Sequence, residues 1–241
     1  MYTVILPTMW IAQEIAMMLP LIDAHPLIGE ILVINNNIPN TPNWFKNGKW
    51  KKVKAFNPPS NIYICPAWNL GVKHAKYDKI CILSDDTLFD MTVFDFLYDK
   101  IIEDNGCIGL DHRLIYQPHQ TPLKKLGILK SPNMKLERAP DVDGIGIGGG
   151  FKCPTNGYAM LWFWHKSNYI PIPDQCKNWF GDVFLYNVSK KKGKPPLQLA
   201  NFFVMGVSIG TTINHPVFKE LGYREAHLDP QIVIDALNKI G

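Results

Sequence analysis

Short apolar runs alternate with helix-spaced patterns through the first half of the chain, and this alternation constrains the fold more than any other feature. Tyr2 to Leu6, Glu30 to Ile34, Lys51 to Phe56 and Lys79 to Leu83 each read as a strand. Between the first two, Ile11, Ile15, Met18, Leu19 and Ile22 fall near helical spacing, and Pro26 closes the element. Pro66 opens a second helix that runs through Ala75. A third, from Met91 to Glu103, places Val93, Phe94, Leu97, Ile101 and Ile102 mostly on one face. Strands that alternate with helices in this way imply βαβ units around a mainly parallel sheet.

The strand ends carry the polar chemistry. Asn35, Asn36 and Asn37 terminate the second strand, where asparagine tolerates left-handed backbone. Ser84, Asp85 and Asp86 terminate the fourth. Two adjacent carboxylates at the carboxyl end of a buried strand put negative charge in the crevice where open α/β sheets bind ligands. Such oxygen ligands suit Mg2+ or Mn2+, which can bridge diphosphate oxygens. The competing reading is that Ser84, Asp85 and Asp86 only cap the following turn.

The second half is less regular. Residues 111 to 140 have weak periodicity and read as a long, partly irregular segment. A glycine-rich run follows, in which Gly144, Gly146 and Gly149 formally match a dinucleotide fingerprint. The pattern is rejected, because turn residues follow it where that fingerprint needs a helix. Tyr158 to Trp164 and Leu197 to Val204 read as strands, a helix begins around Trp179, and Pro230 to Ile240 forms a short amphipathic helix.

With 241 residues and 46% hydrophobic content, the chain can bury one substantial core, so a single domain is expected. Within it one boundary is expected near residue 111, between a first half, 1–111, and a second, 112–241. Five cysteines without a C-x-x-C pair indicate neither a disulfide framework nor a zinc site, which fits a reducing, cytoplasmic setting. The N-terminal stretch lacks a basic leader and reads as strand plus helix, and no window reaches the roughly 20 apolar residues of a membrane span.

The order of these segments resembles the family 2 glycosyltransferases and their GT-A relatives. The matching residues are Val4-Ile5-Leu6-Pro7-Thr8, Asn35 to Asn37, Pro66-Ala67-Trp68-Asn69-Leu70-Gly71-Val72 and Ile80-Cys81-Ile82-Leu83-Ser84-Asp85-Asp86. The resemblance implies a Rossmann-like α/β domain that binds a nucleotide-diphosphate sugar through Pro7, Thr8, Asn35, Asn37, Asn69 and Asp85. It implies a Mn2+ or Mg2+ ion held by Asp86, with Asp85 and His215 completing its shell. Ser84 departs from the family's Asp-x-Asp pattern, so Asp85 is open to either metal or ribose.

Asn178-Trp179-Phe180-Gly181-Asp182-Val183-Phe184-Leu185 looks like the family's segment in which an acid opens a helix, and Asp182 is its candidate catalytic base. An inverting transfer needs such a group to take the proton of the acceptor hydroxyl. Asp182 equally suits a plain helix N-terminal acid. Trp179 and Phe180 are candidates for an apolar wall beneath a sugar or base ring.

Lysine clusters at 46, 49, 51, 52 and 54 and at 190, 191, 192 and 194 read as solvated faces or as contacts for a polyanionic acceptor. The expected acceptor is a glycan, with a hydroxymethylated base in DNA as the alternative. Two further classes stay open: nucleotidyl transfer, which the lack of glycine and lysine from Pro7 to Ala12 disfavours, and a non-catalytic module binding nucleic acid or glycan.

Overall fold

The structure is a computed structural model that describes residues 1–111, 115–116, 130–131, 133–140, 158–206 and 231–240. Eight strands form one sheet in the order β3-β2-β1-β4-β9-β6-β10-β8. They are β1 (Tyr2–Thr8), β2 (Ile28–Asn35), β3 (Val53–Phe56), β4 (Lys79–Leu83), β6 (Ile108–Leu110), β8 (Lys135–Arg138), β9 (Leu161–His165) and β10 (Leu197–Ala200). All run the same way except β8 and β9, which pair antiparallel with their neighbours. The expected α/β fold with a mainly parallel central sheet is what the chain adopts.

The sheet is buried on both faces, and its residues sort by the two-residue period of a strand. On one face Val4, Leu6, Val33, Cys81 and Phe163 pack with the helices α1 (Glu14–Ala24) and α4 (Val93–Leu97). On the other, Ile5, Leu32, Ile82, Trp162 and Trp164 pack with α3 (Ile64–His74), α5 (Gly181–Lys191) and α6 (Gln231–Asn238). A Cβ on Gly71 would collide with Ile5 Cγ2, so only glycine lets α3 lie this close to β1.

Several elements depart from expectation. The helix anticipated over Met91–Glu103 is only the five residues of α4; Lys100 and beyond turn away so that β6 can enter the sheet. Leu197 to Val204 is two strands, because Asn201 takes φ 55° and sends β11 (Val204–Gly206) into a second sheet with β5 (Thr87–Phe89) and β7 (Ile115–Tyr116). Tyr158–Met160 is a 3₁₀ turn, and β9 starts only after it. A short helix, α2 (Asn43–Lys46), precedes β3.

Chain order fixes where a ligand can sit. The chain moves outward from β1 to β2 to β3, then returns to place β4 on the other flank of β1. Beyond the carboxyl ends of β1 and β4 the connections diverge, which is where open α/β sheets form their ligand crevice.

Candidate functional site

A cavity of about 250 Å³ opens at that switch point. Pro7, Thr8 and Met9 come from the end of β1, and Leu83, Ser84, Asp85 and Asp86 from the end of β4. Asn36 follows β2, Asn61, Ile64 and Trp68 come from the entry and first turns of α3, and Asp182 comes from the first turn of α5. Ala159 and Met160 complete the wall. They reach this edge because β9 is antiparallel, so its start lies beside the end of β4; the Ser84 amide donates to Met160 O at 2.8 Å.

The acidic pair is held by hydroxyls. Thr8 Oγ1 donates to Asp85 Oδ2 at 2.6 Å and thereby joins the two strand ends across the switch point. Ser84 Oγ donates to Asp86 Oδ1 at 2.6 Å. The residue that departs from the family's acidic pattern thus orients the acid two positions later. Burial pushes the Asp85 carboxyl up to about 7, the Thr8 hydroxyl works against that rise, and the charge of Asp86 adds to it.

Asp182 lines the same cavity from the first turn of α5, a helix packed on one face of the sheet. Burial also pushes its carboxyl above the usual carboxylate range, opposed by the backbone amide of Val183, which donates to Oδ1 at 2.9 Å. Gly181 sets how deep this turn sits. A Cβ there would stand 2.5 Å from Cys65 Sγ and 3.3 Å from Trp68 Cζ3, so an acid has no room beside Asp182.

Other expected binding residues lie off the cavity wall. Asn35 is buried and its side chain is consumed by structure: Oδ1 accepts from Trp10 Nε1 at 2.7 Å, and Nδ2 donates to Thr41 Oγ1 and Asn57 Oδ1. Asn37 Nδ2 donates to Met9 O at 3.4 Å. Asn69 ties α3 to the approach of α5, donating to Ile172 O at 2.8 Å and accepting from Tyr169 Oη and the Ile172 amide at 2.9 Å. Trp179 and Phe180 are not part of the wall; Trp68, Ile64 and Met160 supply its apolar surface instead. His215 and the glycine-rich run lie outside the described residues.

Sequence reasoning missed Met9, Asn61, Ile64, Ala159 and Met160. Asn61 follows the Pro58-Pro59 turn and gave no periodic signal, while Ala159 and Met160 sat inside what read as strand. One backbone signal marks the site. Trp10, Tyr63 and Phe180 have φ of 60°, 68° and 63°, and each lies within two residues of a cavity-lining side chain. Such conformations cost about 1–3 kcal/mol each and persist where surrounding structure enforces them.

Among the described residues no group of three or more His, Cys, Asp or Glu side chains forms a metal cage. The pair Asp85 and Asp86 nevertheless fits a hard divalent cation, since Mg2+ is commonly held by one or two carboxylates together with waters and substrate phosphates. Among the described residues no helix is long and apolar enough to cross a membrane.

No family model matches the chain, and no curated protein does. Solved structures do. Residues 1–349 of TarS from S. aureus superpose with a TM-score of 0.58 at 12% identity, covering 86% of this chain and 60% of that one. The mannosyltransferase PcManGT from Pyrobaculum calidifontis, solved with GDP-Man and Mn2+, gives 0.57 at 14% identity over 99% of this chain and 73% of that one. GalNAc-T7, solved with UDP, GalNAc and Mn2+, gives 0.57 at 14% identity over 86% of this chain and 44% of its own.

The architecture is therefore the GT-A fold found in nucleotide-sugar glycosyltransferases. At these identities the likeness shows the fold and nothing finer. The chain spans less than two thirds of the TarS and GalNAc-T7 chains it matches.

Proposed function

We propose that this chain is a metal-dependent, inverting glycosyltransferase, a single domain whose residues 1–111 bind a nucleotide-diphosphate sugar and whose residues 112–241 receive a glycan acceptor. One observation carries the reading: Asp85 and Asp86 from the end of β4 and Asp182 from the start of α5, nearly a hundred residues apart, line one cavity at the switch point. Support comes from the fold neighbours, which include TarS in complex with UDP-GlcNAc and PcManGT with GDP-Man and Mn2+.

Asp86 and Asp85 would hold Mn2+ or Mg2+, whose charge offsets that developing on a departing diphosphate. His215 remains a candidate third ligand. Pro7, Thr8, Met9 and Asn36 border the donor side, and Trp68, Ile64 and Met160 exclude water from the apolar wall. Asp182 takes the proton of the acceptor hydroxyl as its oxygen bonds the anomeric carbon. The bond from that carbon to the diphosphate breaks, the nucleoside diphosphate leaves with the electron pair, and the anomeric centre inverts.

The test is product analysis with labelled donors and Mn2+. Release of a nucleoside diphosphate together with a β-to-α or α-to-β change in linkage supports the reading. Release of pyrophosphate would point to nucleotidyl transfer, and binding without turnover to a non-catalytic module.

A base in DNA as acceptor draws less support from the geometry. Neither lysine cluster lines the cavity. Lys190 and Lys191 end the helix whose first turn carries Asp182, about 12–14 Å along its axis. Lys192 and Lys194 are engaged there with Ser167 O and Glu103 O.

A further inference from the structure

Helix α1 is apolar on its outer face as well as its inner one, where Ile15, Met18, Leu19 and Ile22 are buried. Its two carboxylates, Glu14 and Asp23, are buried, while Ala16, Met17, Pro20, Leu21 and Ala24 are exposed. At about 100° per residue these five fall on one arc of about 140°, an apolar stripe in which Met17 is 45% and Leu21 53% exposed. A helix apolar all round is normally covered on every side, and among the described residues this face lacks a cover.

More exposed apolar surface lies on the same side of the sheet. Ile11 follows Trp10 directly, and the Trp10 ring meets Trp44 at 5.9 Å and Phe45 at 4.6 Å. Trp44 is 37% and Ile11 46% exposed. Asp23 accepts from the backbone amides of Lys51 and Lys52, which sets the loop after α2 along the flank of α1. That loop and its neighbours present Lys46, Lys49, Lys51 and Lys54 to solvent.

Charge selects the partner. Residues 1–77 contain seven lysines and three carboxylates, and none of the three is exposed: Glu14 and Asp23 are buried, and Glu30 is half-buried, accepting from Thr3 Oγ1 and the Lys76 amide. The exposed carboxylate that approaches α1 from α4, Asp95, is paired with His25 at 3.3 Å. Apolar side chains able to enter an interface, edged by lysines and with the exposed acid Asp95 paired to His25, match an anionic bilayer surface. A second copy of this chain would instead bring lysines against lysines.

We propose that the outer face of α1, with Ile11 and Trp44 and the Lys46–Lys54 loop, docks on the surface of an anionic lipid bilayer without crossing it. Met9 of the cavity wall is one residue from Trp10, so docking would hold the cavity beside the membrane.

The test is co-sedimentation of the full chain with vesicles of phosphatidylcholine alone or containing about 30% phosphatidylglycerol. Binding is expected only to the anionic vesicles and to weaken several-fold when salt is raised from 0.1 to 0.5 M. Met17→Glu with Leu21→Glu should lower binding at least tenfold, and Lys46→Gln, Lys49→Gln and Lys51→Gln together by a similar factor. An unchanged melting temperature keeps loss of fold out of the result. The proposal is overturned if no vesicle binds, if the glutamate variant binds as well as the parent, or if the parent is a dimer that the glutamate variant disperses.

Discussion

The two ends of the central sheet are built on opposite principles. At the carboxyl end the described residues gather three carboxylates on one cavity, two of them pushed upward by burial. All four described non-glycine residues with left-handed backbone, Trp10, Tyr63, Phe180 and Asn201, also follow strands or precede helices there. At the amino end lysines tie down backbone carbonyls. Lys52 and Lys166 donate to the carbonyls of His25 and Ala75, where α1 and α3 finish and carbonyls lack helical partners, and Lys79, Lys192 and Lys194 donate to those of Ile101, Ser167 and Glu103. Left-handed backbone and buried carboxylates collect at one end of the sheet, and lysine-to-carbonyl hydrogen bonds at the other.

The hardest blow to this contrast is a change at the carboxyl end that costs activity without costing fold. Asp182→Asn should lower kcat by about 10²–10⁴, the range of a positioned general base, with donor KM within about threefold. Normal turnover in steady-state assays would remove Asp182 from the chemistry.

Next in size, Asp86→Ala should abolish the Mn2+-dependent rise in melting temperature given by nucleoside diphosphates. In the parent that rise corresponds to about 2.7 kcal/mol at a hundredfold excess over Kd. A retained shift would assign the metal elsewhere.

Gly181→Ala tests the packing that seats Asp182. The added methyl meets Cys65 Sγ and Trp68, so a loss of about 1–3 kcal/mol by denaturant titration is expected, with kcat falling alongside.

The acidic end should also respond to pH in the metal-free protein. Because folding raises the Asp85 carboxyl from 3.8 to about 7, the folded state binds the extra proton. Its contribution to stability is present below pH 4 and is lost as pH rises toward 7. Asp85→Asn should flatten that decline in melting temperature, and an unchanged slope would contradict the burial argument.

The smallest effect belongs to the amino end. Lys194→Met removes donations to Glu103 O and to Asn168 Oδ1, the latter at 2.7 Å, and should cost about 1 kcal/mol with kcat unchanged. A large activity loss would break the division between the ends.

Much of the site's scaffold was legible in the chain. β1, β4 and the entry of α5 lay where their apolar runs and acids placed them; Asp85 and Asp86 drew notice at a strand end, and the family resemblance marked Thr8 and Asp182. The Asn69-x-Gly71 match was legible too, but its physical role is packing: Gly71 admits β1, and Asn69 ties down the chain before α5. Strand direction was not legible. An apolar run such as Leu161–His165 reads the same parallel or antiparallel, and only its place between β4 and β6 turned it around.

Local patterning alone determined the alternating strands and helices, the burial of both sheet faces and the acids at the end of β4, because periodicity and turn chemistry act over a few residues. The gathering of Asp182 and Asp85 on one cavity, the wall of Trp68 and Met160, and the diversion of Asn35 and Asn69 into structural hydrogen bonds were decided by tertiary structure. Those depend on which strand lies beside which, and on contacts between residues up to about a hundred positions apart that no local pattern encodes.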